Sequence, residues 1–559
     1  MNRRGFLAAS IAAAGAACVS PGRPAGNRLT ASAGGRTVPL EGVRRITVER
    51  GDPVLGRCHY VADTGTERIP RPVLVARMGD RFDAVIENRL PQPTTVHFHG
   101  LTLAEAQDGA GFDPIPPGGS KALAFRVRNR SGLYWFHAHP HGFTAEQVYA
   151  GLFGLVIVQD EDDAALDEAL ALGPSNRLAL AVSDVRVAGG TILPYAPDVN
   201  ECHVGWLGNR AVANGALDAR FSVSPGWVRM QLLNACNARG LLLAFRDGAG
   251  AVPFQLLGTD GGLLPSPVPL DRVFLHPAER VDLALDTGTH RAIDAVSIEF
   301  DPRLHAPGRA AAHRHPARER FPALAEADIC GRGTAGDFIP EGVRLPLYSL
   351  AVTGAGRPAP SLPDRLSALP EAAVPPGAAV RRVRLDFDEH RGFLIDGTPY
   401  DPVEIAFRIP RGAREVWEIR NSPISMPHPM HLHGFGFRVL RRQGTFGPAR
   451  ARHRGRRAPA DRPGGEGYGG GVAERDGATG GGFLAAGRSR VPRPAALHGP
   501  LPQPRARGRD DDAQLRGCLR SRQSRMCTPQ GVSPTAMSLM RAFFCVSITE
   551  TLFERPFAT

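Results

Sequence analysis

The chain of 559 residues has almost no lysine, only eight methionines and no long apolar segment. Lys121 is the single lysine, so arginine carries nearly all of the positive charge, a bias typical of a GC-rich genome. The eight cysteines show no repeated spacing, which excludes a disulfide framework and a zinc ribbon. No stretch is apolar over the ~20 residues that a membrane-spanning helix needs. With 42% hydrophobic and 22% charged residues, the composition also excludes wholesale disorder.

The formal net charge of +12 is confined to one end of the chain. Residues 441–559 carry 21 arginines against nine acidic side chains, whereas residues 1–440 are neutral overall. The basic excess also lacks the interleaved aromatic residues that single-stranded nucleic acids stack on. We therefore do not interpret the charge as evidence of nucleic-acid binding.

Residues 1–30 have the pattern of an export signal. Arg3 and Arg4 precede a short apolar run that ends in small residues near Ala17, as in a secretory signal peptide. The paired arginines resemble a twin-arginine signal, which predicts a periplasmic or extracellular destination. Cys18 is a candidate for lipid attachment, and a frayed N-terminal tail is the alternative interpretation.

The body of the chain predicts antiparallel β-sandwiches. Short runs rich in Val, Ile, Leu and Phe alternate with Gly, Pro, Asp and Asn, a pattern typical of Greek-key folds. We predict an all-β protein of three similar sandwiches over residues 38–160, 175–345 and 378–445, the third incomplete. Helices are predicted only at Asp163–Leu172 and Thr144–Ala150. The predicted strands are Pro72–Arg77, Phe82–Asn88, Ala122–Val127, Gly154–Gln159, Leu178–Val182, Trp227–Asn234, Phe254–Leu257, Arg272–His276, Val281–Asp286, Glu404–Ile409, Glu415–Arg420 and Phe435–Leu440.

Three His-x-His pairs stand out against this background. They are His97 with His99, His137 with His139, and His431 with His433. Side chains two apart on a strand face the same side, so each pair presents two imidazoles to one point. Imidazole suits Cu, Zn, Fe and Ni, so the residue type alone does not choose the metal. His141 follows the second pair, but its parity and the intervening proline favour a supporting or structural position.

The strings around these pairs resemble the copper motifs of the multicopper oxidases. They read T-T-V-H-F-H-G-L, Y-W-F-H-A-H-P-H-G and H-P-M-H-L-H-G. The segment H-P-H-G-F-T-A-E-Q-V-Y-A-G-L is most similar to the bacterial laccases and the bilirubin-oxidase branch. The resemblance covers about residues 40–445. It implies three cupredoxin domains, with a trinuclear copper cluster between the first and third and a blue copper within the third.

The resemblance also implies a role for each matching residue. His97 and His431 would bind the type 2 copper, and His428 would be one ligand of the blue copper. Asp108, which precedes Gly109, aligns with an acidic residue that supplies protons near the cluster, and a turn aspartate before glycine is the alternative. The type 3 copper pair would be bound by His99, His137, His139 and His433.

The fourth copper motif of the family is missing. A blue copper needs a thiolate, which the family supplies in an H-C-H-x-x-x-H string near its C-terminus. Cys518, Cys527 and Cys545 have no neighbouring histidine, and His498 is the last histidine of the chain. We therefore expect a defective type 1 site and an incomplete trinuclear cluster. Residues 441–510 contain 16 glycines and 15 arginines, which predicts no closing strands for the third sandwich and a disordered tail over residues 446–559.

A reading-frame shift explains both the missing motif and the change of composition. Read one nucleotide later, codons permitted by Val491–Ala513 can spell H-C-H-N-L-E-H in the family's spacing. We infer that the frame was lost between about Gly444 and Pro463. The nucleotide sequence tests this directly: we expect the H-C-H string in the shifted frame, and codons that forbid it would end the hypothesis.

These motifs predict a copper-dependent, laccase-like oxidase that is impaired as written. Such an enzyme couples one-electron oxidation of a small reducing substrate to the reduction of dioxygen to water. Phenols, aminophenols and bilirubin-like pigments all remain open as substrates. The alternatives are a non-catalytic cupredoxin protein of the cell envelope and a copper-sequestering protein.

Overall fold

The computed structural model of the protein consists mainly of β-sheets connected by short loops. It describes residues 36–443 and 481–486, apart from 52–56, 112, 199–200, 202–204, 249, 301–337, 355–358, 370–373, 389–390, 402–404, 411 and 422–427. The export segment 1–30, Cys18 and most of the tail 446–559 lie outside the described residues. Within the described ranges, no helix has both the length and the apolar character needed to cross a bilayer.

The first sandwich is formed by two five-stranded sheets. The elements are β1 (Thr37–Pro39), β2 (Arg45–Arg50), β3 (Cys58–Asp63), β4 (Arg68–Pro70), β5 (Val73–Arg77), β6 (Arg81–Asn88), β7 (His97–His99), α1 (Glu105–Asp108), β8 (Ser120–Arg126), β9 (Gly132–His137), α2 (Thr144–Tyr149) and β10 (Phe153–Gln159), with a 3-10 turn at Leu40–Gly42. The strand orders of the two sheets are β1-β5-β10-β9-β7 and β4-β3-β2-β6-β8. Alternation of side chains forms the core: on β6 Phe82, Ala84 and Ile86 are buried, whereas Arg81 and Asp83 face solvent.

The second sandwich follows a linker helix, α3 (Glu161–Ala169), and a 3-10 turn at Pro174–Asn176. Its strands are β11 (Arg177–Val185), β12 (Val187–Ala188), β13 (Thr191–Ile192), β14 (Arg210–Ala213), β15 (Ala216–Leu217), β16 (Arg220–Val223), β17 (Trp227–Asn234), β18 (Leu241–Asp247), β19 (Gly250–Val252), β20 (Phe254–Thr259), β21 (Gly262–Leu270), β22 (Val273–Leu275), β23 (Arg280–Asp286), β24 (Ala292–Ser297) and β25 (Leu345–Val352). A seven-stranded sheet, β15-β14-β11-β17-β23-β20-β21, packs on a sheet of order β16-β25-β24-β18-β19, in which β22 also pairs with β18.

The third unit is a single six-stranded sheet in the described part of the chain. Its strands are β26 (Val380–Asp388), β27 (Gly392–Ile395), β28 (Thr398–Pro399), β29 (Val416–Asn421), β30 (Phe437–Gln443) and β31 (Gly481–Ala486). Their order in the sheet is β28-β27-β26-β29-β31-β30. A small core that includes Val383, Trp417 and Leu432 covers one face. The predicted all-β fold class is confirmed.

Two details of the third unit differ from the prediction. Composition predicted no closing strand in residues 441–510, yet β31 pairs with both β29 and β30. Ladder hydrogen bonds use only backbone groups, so a Gly- and Ala-rich segment can form them despite its low β-propensity. The predicted strand at Glu404–Ile409 is wrong for residues 405–409, which have no ladder partner among the described residues.

Strand β9 joins the first two sandwiches, because both of its faces are buried. Tyr134 and Phe136 point into the core of the first sandwich. Leu133 and Trp135 pack on Ala181 and its neighbours in the second sandwich. This explains why the strand reads as a continuous apolar run rather than an alternating one. It also places the histidine-bearing end of β9 at a fixed position relative to both units.

Buried charge fixes helix α3 to the second sandwich. Arg229 is fully buried and contacts Asp163 at 2.8 Å, Asp167 at 2.6 Å and Asp282 at 2.6 Å. Arg177 adds a second cation, 2.8 Å from Asp163. Burial opposes ionisation of Asp163, but the two arginines outweigh it and lower its pKa to about 2. Removing one member would leave an unpaired buried charge, which is far more costly than the intact network.

One apolar cluster contains residues of both interdomain linkers, the one between the two sandwiches and the one between the second sandwich and the third unit. Leu166 of helix α3 and Leu170, which directly follows the helix, pack with Leu263 of the second sandwich. Leu366, in the segment leading to the third unit, belongs to the same cluster. Ser367 donates to the Leu263 carbonyl at 3.1 Å and accepts from Arg130 Nη2 at 3.0 Å. The position of the third unit is therefore set partly by contacts far from its histidines.

We predict that Leu366→Ala lowers the free energy of unfolding by about 2–5 kcal/mol, because it opens a cavity where the linkers meet. The midpoint of urea unfolding measures the effect. Val374→Ala is the control, since Val374 is 42% exposed and its truncation should cost under about 0.5 kcal/mol. Equal midpoints for the two variants would show that the linker cluster does not support the fold.

Candidate metal centre

Backbone pairing brings the first two histidine pairs together. Strands β7 and β9 are antiparallel, with His97 opposite His137 and His99 opposite Trp135. The segment before β7 helps to place the second pair, because Thr95 Oγ1 accepts a hydrogen bond from the His139 amide at 3.0 Å. The first four imidazoles are thus positioned within the first sandwich alone.

The third histidine pair reaches the same place from the other end of the chain. The ring of His431 stacks on that of His99, with centroids 3.6 Å apart and an interplanar angle of 13°. The ring of His433 lies 4.2 Å from that of His97 and 5.3 Å from that of His139. Six imidazoles that are up to 336 positions apart in the sequence therefore form one cluster.

The cluster is buried and leaves ring nitrogens available to a ligand. His97, His99, His137, His139 and His431 are buried, and the side chain of His433 is 10% exposed. Buried atoms without a hydrogen-bond partner among the described residues include Nε2 of His97, His137, His431 and His433 and Nδ1 of His99. Buried polar atoms are rarely left unpaired, so these nitrogens are suited to bind a ligand that accepts their lone pairs. Metal cations fit that requirement.

Two groups of three histidines have ligand geometry. In each group, one nitrogen per ring lies within 4.8 Å of the others. The first group is His97, His99 and His137, and the second is His97, His431 and His433. The residues present therefore fit a metal such as copper, with His139 adjacent to both groups.

Asp108 links the first and third histidine pairs. Its backbone carbonyl accepts from His97 Nδ1 at 2.9 Å, and its carboxylate Oδ2 accepts from His433 Nδ1 at 2.5 Å. These bonds fix the tautomer of both rings, so each Nε2 keeps its lone pair. Burial alone would raise the pKa of Asp108, but His97 and His433 together hold it well below its usual range.

Glycines after the histidines and Asp108 allow this close approach. Gly109 has φ 76°, and a Cβ there would lie 1.9 Å from the Val96 carbonyl oxygen. Gly434 has φ 72°, and its Cβ would lie 2.8 Å from the Leu103 carbonyl oxygen. Asp108 thus lies at a turn before a glycine, which was the alternative expected from the sequence. The turn brings its carboxylate to the imidazoles.

Burial keeps the imidazoles neutral. It is the largest cause that lowers the pKa of His97, and it lowers the pKa of the other buried rings, His99, His137, His139 and His431, well below the usual value. Neighbouring imidazoles add to the effect because two charged rings at these separations would repel. Neutral imidazole is the form that binds metals.

Two of the predicted histidines lie outside the cluster. His428 lies against Phe393, with ring centroids 6.0 Å apart, and is in neither group of three. His141 lies 6.1 Å from Tyr400, in agreement with a supporting or structural position. The described cysteines are Cys58, in the first sandwich, and Cys236, in the core of the second. Neither belongs to the third unit, which contains His428.

Two residues beside the cluster were not expected from the sequence. Trp135 stacks on His137 at 4.1 Å and lies 4.9 Å from His99. Arg280 of the second sandwich donates to the Leu133 carbonyl at 3.2 Å and pairs with Asp260. Trp135 could have been found from parity, since it lies two residues before His137 on the same face of β9. No local pattern indicates Arg280, because only interdomain packing brings it here.

Comparison with known proteins agrees with this geometry. Family models described as multicopper oxidase match residues 62–163 and 374–463. The fold is similar to that of the multicopper oxidase McoA from Aquifex aeolicus, with a TM-score of 0.63 and 23% identity over 83% of this chain and 93% of that one. The predicted resemblance to the multicopper oxidases is confirmed.

Curated relatives carry two kinds of name. A cell division protein FtsP of Xenorhabdus nematophila is 33% identical over 38% of this chain, a match that spans 44% of that relative's length. FtsP of Escherichia coli K12 is 27% identical over 80% of this chain and 87% of its own length. The multicopper oxidase mco of Staphylococcus aureus is 26% identical over 66% of this chain and 68% of its own length.

We predict that the metal-free protein loses stability as the pH falls below about 6.5. The unfolded chain protonates its histidines there, whereas the buried cluster resists protonation, so the unfolded state binds more protons. Each resisting ring contributes up to about 1.4 kcal/mol per pH unit. Urea midpoints at pH 7.5 and 5.5 measure the loss.

The double variant His99→Gln with His431→Gln is the control for this experiment. It removes the stacked pair and should flatten the pH dependence, whatever its effect on absolute stability. A midpoint that rises on acidification, or a slope unchanged in the double variant, would contradict burial of neutral rings.

Proposed function

We propose, on the premise that this chain carries multicopper oxidase domains at residues 62–163 and 374–463, that it is an exported, laccase-like copper protein with impaired oxidase activity. The convergence of six buried imidazoles from both ends of the chain is the observation that supports this. Copper held by these rings would supply the redox chemistry that couples one-electron oxidation of a phenol or similar substrate to the four-electron reduction of dioxygen to water. Export rests on the segment that contains Arg3 and Arg4.

The first task of the chain's own residues is to hold the metal ligands in place. His97 and His433 are oriented by Asp108, and the His139 amide is bonded to Thr95. Trp135 packs on two cluster rings and helps to exclude water. Preorganisation of this kind supports tight binding, because little ordering remains to be done when the metal enters.

Asp108 is also the residue that we propose to move protons. Its Oδ1 is buried and has no hydrogen-bond partner in the described chain, whereas Oδ2 is bonded to His433. A free carboxylate oxygen beside the cluster can accept a proton from one side and pass it to the other. Because its pKa lies well below the usual range, the proton would pass through Asp108 rather than remain on it.

Impairment follows from the third unit. Among its described residues, His428 is the histidine outside the cluster, and the described cysteines lie in other sandwiches. Electrons from a reducing substrate enter such an oxidase through the thiolate-ligated blue copper that the family resemblance implies. No described cysteine lies beside His428, so we propose that this entry point is lost.

The names of the FtsP relatives favour a second candidate, a non-catalytic protein of the cell envelope. A binding scaffold has no need of six clustered imidazoles at the meeting point of two domains. Retention of copper therefore separates the two candidates.

We predict that the full-length protein, loaded with copper and passed through a desalting column, retains copper but lacks the intense blue thiolate absorption. Phenol-dependent oxygen uptake should equal that of a blank with the same amount of free copper. Metal analysis, an absorption spectrum and an oxygen electrode measure the three quantities.

Each result has a distinct meaning. Blue absorption with steady phenol oxidation would contradict the proposed impairment. Complete loss of copper on desalting would favour the non-catalytic candidate. His290→Gln, a replacement in the second sandwich where His290 pairs with Asp247, controls for incidental binding by surface histidines.

A further inference from the structure

One arginine in the first sandwich is buried without a partner. Arg57 directly precedes β3 and is 3% exposed. Its Nη1 is buried and has no hydrogen-bond partner among the described residues, and no described carboxylate forms an ion pair with it. Arginine is almost never fully buried unless it is paired, because an unpaired buried charge is costly. Arg57 is therefore suited to bind an anion that the described part of the chain does not supply.

The backbone around Arg57 leaves space for its guanidinium group. Gly151 follows α2 with φ 109°, and a Cβ there would lie 3.1 Å from both Nε and Nη2 of Arg57. The next residue after Arg57 is tied to the same turn, because the Cys58 amide donates to the Ala150 carbonyl at 2.7 Å. A side chain at position 151 would crowd the guanidinium, so the close approach requires glycine.

A second arginine lies beside the first, where the first sandwich meets the second. Arg71 follows β4, and a Cβ at Gly215, between β14 and β15, would lie 2.8 Å from Arg71 Nε. Burial lowers the pKa of Arg57 to about 10, and Arg71 is the neighbouring charge that contributes most to the lowering. Both groups are charged at neutral pH, so they repel each other unless an anion lies between them.

A carboxylate close to these arginines is already paired. After burial, the charge of Arg71 is the largest cause that lowers the pKa of His59, so His59 lies in the same neighbourhood. Glu49 lies 3.8 Å from His59 Nε2, but it also pairs with Arg68 at 3.0 Å and Arg89 at 3.4 Å. One carboxylate shared by two exposed arginines leaves no negative charge for the buried guanidinium.

From this arrangement we propose that Arg57, with Arg71 beside it, binds one small, doubly charged oxyanion of the phosphate type. Guanidinium groups form charge-assisted hydrogen bonds with phosphate oxygens, and a tetrahedral dianion offers oxygens to both arginines at once. The ion is free rather than part of a lipid headgroup, because a guanidinium that is 3% exposed is out of reach of a membrane surface. The site shares no residue with the histidine cluster and is independent of the proposed function.

The experiment measures the binding of inorganic phosphate to the full-length, metal-free protein by equilibrium dialysis at constant ionic strength. We expect one bound equivalent, and a higher midpoint of thermal unfolding in phosphate than in chloride, because a ligand of the folded state stabilises it. Arg57→Gln should weaken binding at least roughly tenfold. Without phosphate, this variant should unfold no earlier than the unaltered chain, because it removes an unpaired buried charge.

Three further measurements serve as controls. Arg68→Gln removes the same charge from an exposed position nearby and should change the affinity by less than roughly threefold. Asp52→Asn removes the carboxylate of the neighbouring segment 52–56, which lies outside the described residues, and binding should not require it. Vesicles that contain phosphatidate should bind the unaltered chain and Arg57→Gln equally.

Several results would overturn the inference. They are no phosphate bound by the unaltered chain, equal losses in Arg57→Gln and Arg68→Gln, and vesicle binding that depends on Arg57. Binding that appears only in Asp52→Asn would identify that carboxylate as the partner and also overturn it. Circular dichroism checks the fold of each variant. Should Arg57→Gln fail to fold, Arg71→Gln decides instead: a loss of at least roughly tenfold supports the site, and unchanged binding contradicts it.

Discussion

The arrangement of the domains depends on one constraint: the first sandwich and the third unit must meet at Asp108. Through its carbonyl and carboxylate this residue holds His97 of the first sandwich and His433 of the third unit, 336 positions apart. Both bonds are made at Nδ1, which leaves Nε2 of each ring without a hydrogen-bond partner among the described residues. Unpaired buried nitrogens cost free energy in the metal-free protein. A bound metal would recover that cost, which would couple metal binding to the stability of the fold.

The second sandwich contributes no histidine to the cluster, yet it helps to hold β9 and the linker to the third unit in position. It packs on the outer face of β9, carries Arg280 to the edge of the site and receives both linkers in one apolar cluster. The buried ion network around Arg229 keeps helix α3 in register with it. A metal site between two domains needs such a reference body, because ligands must be held to within a fraction of an ångström.

The third unit brings two histidines to the cluster from a simpler sheet arrangement. It presents His431 and His433 to the cluster, but in the described residues it has one sheet where the other units have two. Apolar residues such as Phe435 and Val439 are correspondingly exposed, at 41% and 49%. Exposed apolar surface of this kind favours association and lowers solubility. On the proposed function, the chain keeps six cluster histidines while lacking the site through which electrons would enter an oxidase of this kind.

The sequence by itself determined the residue types of the site, their pairing on strands and the fold class. His-x-His gives two rings on one face because strand parity is local, and most predicted strands appear in the structure within a few residues. The strand β31, the unpaired segment 405–409 and the positions of Trp135 and Arg280 were decided by tertiary contacts. Only the tertiary structure placed His97 at the centre and joined it to His433 through Asp108. The reason is physical: spacing along a chain fixes which side chains share a face, whereas the meeting of distant faces depends on how whole domains pack.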